Sequence, residues 1–244
     1  MGMWHSRAKE LFGRKKSSKE KISVFTVYSY GLARIMNAAG FVDAMLVADH
    51  SVGTLALGYP SALPVTLEEM LHHTRAVARA KAGALVIADM PYLTYEISPM
   101  EAARNAGRLM KEGSARAVRV KGGSPSVIKS AREIVQAGVA VMGHLRWAES
   151  RERSQEQARA LQEAGCFAVV LEGMPARSAG AITGDLSIAT IGAGSGPSCD
   201  GELICTEEIL GLAAPALRPG PRVYLKLKTL LTQAVRRCAK DLKR

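Results

Sequence analysis

Phe167-Ala168-Val169-Val170-Leu171-Glu172 is a run of five apolar residues closed by a single acid. So short a run, with no polar alternation, reads as a strand buried on both faces. The same grammar recurs along the chain. Residues 44–48 are closed by Asp49 and residues 84–88 by Asp89. Residues 117–120 carry Arg119 and run into Lys121, and residues 139–142 lead through Gly143 to His144. Further strands are expected over 22–27, 188–191 and, more weakly, 203–206. Parallel strands that all deliver a polar residue at the same end describe an α/β protein of the (β/α)8 (TIM) barrel class. The length of 244 residues suits one such barrel, for which about 250 is typical.

Helix signals fall between the strands. Residues 29–39 end at Gly40. Thr66 and Glu69 form a capping box, Ser98-Pro99 is a cap followed by a first-turn proline, and residues 150–164 are closed by Gly165. Residues 50–64 read as a loop containing Gly and Pro. Val223, Leu227, Leu230, Ala234 and Cys238 recur at helical spacing, so an amphipathic helix is expected in the tail. The expected organisation is a basic lead-in over 1–21, flexible or helical, and a single barrel domain over 22–244.

Net charge is +11, but it sits at the ends. Residues 1–21 carry seven Lys or Arg against two Glu, and residues 218–244 carry nine against one Asp, which leaves −2 for the body. With aromatic residues at 5%, stacking platforms for bases are not evident, and no nucleic-acid partner is expected. The basic ends read as solvated. No apolar run reaches the roughly 18 residues of a membrane span, so no membrane partner is expected. The cysteines, 166, 199, 205 and 238, form no C-x-x-C pair and suggest neither zinc nor a disulfide framework. A cytoplasmic location fits that usage.

In a barrel, Asp49 and Asp89 can point into one site, where two carboxylates suit a hard cation such as Mg²⁺. A pair of helix-capping aspartates is the plainer reading. Glu172 suits a general base that removes a proton beside a carbonyl, or else an ion pair with Arg119 or Lys121. His144 can hydrogen-bond a substrate carboxylate or carbonyl, or play a structural part. Ser178 and Ser195 have no nameable base beside them.

Several stretches together resemble the ketopantoate hydroxymethyltransferase family. They include Leu63-Pro64-Val65-Thr66-Leu67-Glu68-Glu69-Met70, His73-Thr74-Arg75-Ala76-Val77 and Ala88-Asp89-Met90-Pro91-Tyr92. Val141-Met142-Gly143-His144-Leu145, Val169-Val170-Leu171-Glu172 and Ser198-Cys199-Asp200-Gly201 continue the match. The likeness spans roughly residues 21–212. It implies a barrel of the phosphoenolpyruvate/pyruvate type, a small-molecule substrate, a homo-oligomer and a place in pantothenate biosynthesis. It also implies aldol-type chemistry: an α-proton leaves a branched 2-oxo acid, and the enolate attacks the one-carbon unit of 5,10-methylenetetrahydrofolate. Mg²⁺ on the 2-oxo acid would polarise it as a Lewis acid. By position, Asp49 and Asp89 match the metal ligands, His144 a substrate contact and Glu172 the catalytic base. Ser51 matches a serine that helps hold the 2-oxo acid, although Ala48-Asp49-His50-Ser51 has one residue more than the family's Gly-Asp-Ser.

The departures cluster at the chemistry. The family's Lys-x-Glu-Gly-Gly is Arg119-Val120-Lys121-Gly122-Gly123 here, so a substrate-binding lysine is Arg119 and a metal-associated glutamate is Lys121. Repulsion between unit charges 4 Å apart is about 4 kcal/mol at an effective dielectric near 20, and a dication would feel more. The segment after His144 is also shorter than in the family by roughly twenty residues, which leaves an open mouth. Three functions are consistent with this pattern. One is an enzyme of the same carbon–carbon chemistry, diverged in substrate and metal use, with Lys121 stabilising the enolate or forming a Schiff base. Another is the unchanged family reaction on 3-methyl-2-oxobutanoate. The third is a catalytically silent binding subunit.

Overall fold

The computed structural model describes residues 3–80, 83–148, 150–212 and 223–243. Eight parallel strands close into a barrel in chain order: β1 (Ile22–Thr26), β2 (Ala44–Val47), β3 (Leu85–Asp89), β4 (Ala117–Lys121), β5 (Val141–Arg146), β6 (Ala168–Glu172), β7 (Ala189–Ala193) and β8 (Gly201–Ile204). β1 pairs with both β2 and β8, so the sheet has no free edge. The helices around it are α2 (Tyr30–Ala39), α4 (Leu67–Ala78), α5 (Pro99–Lys111), α6 (Pro125–Gln136), α7 (Arg151–Glu163) and α8 (Ala176–Asp185).

Period-2 alternation sorts each strand's residues between two cores. Ile22, Val24, Leu46, Ile87, Met142, Val170 and Ile191 fill the interior with several alanines. Met45, Val47, Val86, Val118, Val141 and Val169 face outward onto the helices. Counting on by two from the interior set places Thr26, Asp89, Arg119, Lys121, His144 and Glu172 on the inner face at the C-terminal end.

Five of the six helices around the barrel start with one device. Ser29, Thr66, Ser98, Ser124 and Ser150 each accept a hydrogen bond from a first-turn backbone N–H. Such a cap contributes about 1 kcal/mol. The expected box of Thr66 and Glu69 is complete.

Local differences from the sequence reading have physical causes. β5 starts at Val141, two residues later than expected, and runs through His144 to Arg146. The segment read as a loop from 50 begins with helical turns, α3 (Asp49–Ser51) and a π-turn over Val52–Ala56. The expected flexible or helical lead-in is α1 (Met3–Ser18), and it is no solvated tail. Ala8 and Phe12 are fully buried in the interior cluster, and the Phe12 ring meets Phe167 edge-on at 5.0 Å. Lys15 pairs with Asp43 at 2.7 Å and Lys16 with Asp200 at 2.8 Å. Thus α1 plugs the N-terminal end of the barrel, and part of its positive charge is spent there. β8 is followed by the short α9 (Thr206–Ile209), and the expected tail helix is α10 (Leu227–Asp241), with no buried residue.

Candidate active site

Asp89 is the last residue of β3 and has no solvent exposure. The Arg119 guanidinium, one strand over, grips it with Nε on Oδ1 at 2.5 Å and Nη2 on Oδ2 at 2.7 Å. Oδ2 also accepts from the Asp49 backbone N–H at 3.1 Å, and the Lys121 ammonium stands 3.2 Å away. Lys121 Nζ donates in turn to Asp49 Oδ1. The ammonium therefore bridges the two aspartates. Burial alone would raise the Asp89 carboxyl, but Arg119 and Lys121 hold it well below the usual carboxylate range. Asp49 moves the other way, pushed up by burial and by the Asp89 charge against the pull of Lys121. Burial likewise opposes the Arg119 charge, and Asp89 overcomes it.

The backbone delivers Lys121 with care. The Tyr95 hydroxyl accepts from the Lys121 N–H and donates to the Lys121 carbonyl, both at 3.1 Å. Gly122 then turns the chain at φ +110°, where a Cβ would be strained, and a Cβ on Gly123 would stand 2.6 Å from the Gln157 side chain.

Next round the ring, His144 pairs in register with Lys121, and Arg146 with Glu172. His144 Nε2 lies 3.0 Å from Glu172 Oε2, and Arg146 Nε lies 3.3 Å from the same oxygen. Burial, followed by the Arg119 charge, lowers the imidazole to about 4, against the opposing pull of Glu172. The ring is therefore neutral at pH 7, and it donates its Nε2–H to the carboxylate. This leaves two buried polar atoms without a protein partner at the site: Arg119 Nη1, a donor, and His144 Nδ1, an acceptor. Exposure grades across the mouth. The Asp89 side chain is covered and Asp49 is 7% exposed, while Glu172 is 18%, Lys121 32% and Arg146 80% exposed. The ammonium, Glu172 and Arg146 are the groups a substrate meets first.

Ser51, which the family likeness assigns to the 2-oxo acid, lies at the same end of the barrel beside Glu207. Its hydroxyl donates to Glu207 Oε1 at 2.7 Å, and the Thr26 hydroxyl donates to Glu207 Oε2 at the same distance. Glu207, at the start of α9, is a buried acid at this end of the barrel that the sequence reading passed over. The signal that finds it is the one that finds Asp49 and Asp89, an acid just beyond a strand's C-terminal end.

These donors do not fit Mg²⁺ as they stand. Both Asp89 oxygens are taken by N–H groups, and the ammonium occupies the space between the carboxylates that a cation would share. Among the described residues, no group of three or more His, Cys, Asp or Glu is placed to hold a metal ion. Likewise, no helix among them is long and apolar enough to cross a membrane. What the arrangement offers is a fixed cation and a partly exposed carboxylate at the same end of the barrel.

A profile of the ketopantoate hydroxymethyltransferase family matches residues 7–244. The 3-methyl-2-oxobutanoate hydroxymethyltransferase of Thermosynechococcus vestitus is 42% identical over 91% of this chain and 90% of its own length. Those of Geotalea uraniireducens (44%, covering 91% and 88%) and Geobacter sulfurreducens (43%, covering 94% and 92%) are similarly related. Among solved structures, a 2,3-dimethylmalate lyase of the PEP mutase/isocitrate lyase superfamily superposes with a TM-score of 0.68 at 19% identity, covering 97% of this chain and 87% of that one. A phosphonopyruvate hydrolase in complex with oxalate and Mg²⁺ superposes at 0.66 with 11% identity, covering 95% and 97%. At those identities the likeness establishes the shared barrel fold.

Proposed function

The chain belongs to the ketopantoate hydroxymethyltransferase family, and from that premise we propose that it forms the enolate of a 2-oxo acid and joins it to a one-carbon unit, using the Lys121 ammonium where relatives would use an ion. Glu172 takes the proton from the carbon beside the carbonyl. The electron pair moves toward the carbonyl oxygen, and Lys121 meets the charge that develops there. A cation already fixed by two carboxylates needs little reorganisation as that charge appears. His144 orients Glu172 through its Nε2–H, and Arg146 offers an exposed guanidinium for the substrate carboxylate. Asp49 and Asp89 hold the ammonium in place, and Arg119 fixes Asp89. Water opens the methylene bridge of 5,10-methylenetetrahydrofolate: both carbon–nitrogen bonds break, N5 and N10 each take a proton, and the carbon leaves as formaldehyde bearing the water oxygen. The enolate carbon adds to that carbonyl carbon, and the proton held by Glu172 goes to the resulting alkoxide, which becomes the hydroxyl of the product.

The observation that carries this reading is Lys121 seated on Asp49 and Asp89, with the His144–Glu172 pair beside it. Proton exchange isolates the first step without the folate. In D₂O containing EDTA, the C3 proton of 3-methyl-2-oxobutanoate is expected to exchange under the protein's catalysis, read by ¹H NMR. Glu172→Gln should slow this exchange about 10²–10⁴-fold, the range for losing a general base. Exchange at the uncatalysed rate with folded wild-type protein would instead favour the silent binding subunit.

A further inference from the structure

Glu207 is 4% exposed and makes no ion pair among the described residues. Both of its oxygens accept from hydroxyls, Thr26 at 2.7 Å and Ser51 at 2.7 Å. Thr26 is the last inward residue of β1 and accepts the Thr206 N–H at 2.9 Å, so its own hydrogen is committed to the carboxylate. Ser51 follows Asp49 by two residues. The β8–β1–β2 side of the mouth is thus an acceptor wall, and the cations Arg119, Lys121 and Arg146 stand on β4 and β5. A ligand carboxylate brought to Ser51 would find the hydroxyl hydrogen already donated and a second carboxylate behind it. A ligand hydroxyl or ammonium would find free lone pairs on Glu207 and on Ser51.

We propose that Glu207, held over the barrel by Thr26 and Ser51, determines substrate specificity: it receives a hydroxyl or ammonium at the end of the substrate away from its carbonyl and turns a carboxylate away. This rests on the reading of the pocket as a 2-oxo acid site and adds which 2-oxo acids it takes.

Four acids of equal chain length test it, with dissociation constants measured by calorimetry on the full-length protein. They are 2-oxobutanoate, 4-hydroxy-2-oxobutanoate, 4-amino-2-oxobutanoate and oxaloacetate, which end in methyl, hydroxyl, ammonium and carboxylate. The wild type is expected to bind the hydroxyl or the ammonium compound about tenfold more tightly than the methyl compound, and oxaloacetate about tenfold more weakly, the range of a charge-assisted hydrogen bond gained or a repulsion met. Whichever of the hydroxyl and ammonium compounds binds more tightly identifies the donor. Glu207→Gln should compress the ratios within the series to about threefold or less, which a merely structural fastener would not produce, since that would weaken all four acids alike. Equal affinities across the wild-type series, or a series unaltered by Glu207→Gln, would overturn the inference and leave the 2-oxo acid site standing. Binding of none of the four would sink both.

Discussion

At the residue scale, the decisive fact is that Lys121 stands between Asp49 and Asp89. The sequence makes the charge reversal legible, because a lysine replaces an acid in an otherwise matching motif. It cannot show where the side chain goes, since the same lysine could point past the pocket into water. Glu207 is harder still. It follows the expected strand over 203–206 as Asp49 and Asp89 follow theirs, but that strand is weak and Thr206-Glu207-Glu208 looks like a solvated turn, so the signal is faint and the fold supplies the hydrogen bonds to Thr26 and Ser51. His144 gives a test of the site's internal electrostatics. Its folded value of about 4 lies below the 6.5 of an ordinary histidine. Between those values the unfolded chain binds a proton that the folded chain refuses, so stability rises with pH across the window. Its contribution is present above about pH 6.5 and lost as pH falls toward 4, on the order of 3 kcal/mol at most. Urea unfolding between pH 4 and 7 should therefore show a shallower pH slope for His144→Gln than for the wild type. Parallel slopes would mean that the imidazole titrates normally.

At the scale of elements, strand existence is legible because buried parallel strands are short, apolar and bounded by turns. Boundaries are less so: residues 139–146 are apolar well before the ladder begins at Val141, and the ladder partners alone fix the start. Ser124-Pro125 carries the same cap-and-proline signal as Ser98-Pro99 and starts α6. The lead-in hides its role because its charge masks its packing. Basic residues outnumber acids five to one over Met3–Ser18, yet Ala8 and Phe12 are the residues that matter for burial. A closed barrel has two ends, and an unplugged lower end would wet Phe167 and the alanines around it. Phe12→Ala is accordingly expected to destabilise the protein by about 3–5 kcal/mol, as for other buried phenylalanines cut to alanine. Because the plug lies at the end opposite the site, the folded fraction should retain its proton-exchange rate. Equilibrium unfolding and exchange measured on the same sample check the two halves of this expectation. A destabilisation under 1 kcal/mol would show that α1 merely rests against the barrel.

At the scale of the molecule, charge is partitioned by task. The basic N-terminal segment fastens the bottom, α10 carries cations on an exposed helix, and the near-neutral body keeps its opposed charges for the mouth. Within that mouth Lys121 and Arg119 balance Asp49 and Asp89 without any outside ion. The balance makes a prediction about the stability of the whole fold. Any ligand that binds only the native state raises its stability by an amount set by concentration over affinity, about 2.7 kcal/mol at a hundred times the dissociation constant. For a chain of this length each kcal/mol moves the melting temperature by about 2–4 °C. A binding 2-oxo acid at that excess should thus raise the melting temperature by about 5–10 °C in EDTA. Magnesium at millimolar concentration should add nothing, alone or with the acid, because the ammonium already fills the place between the carboxylates. If the acid stabilises the protein only when magnesium accompanies it, then Lys121 must leave the aspartates to admit an ion, and the built-in cation is a gate rather than a replacement.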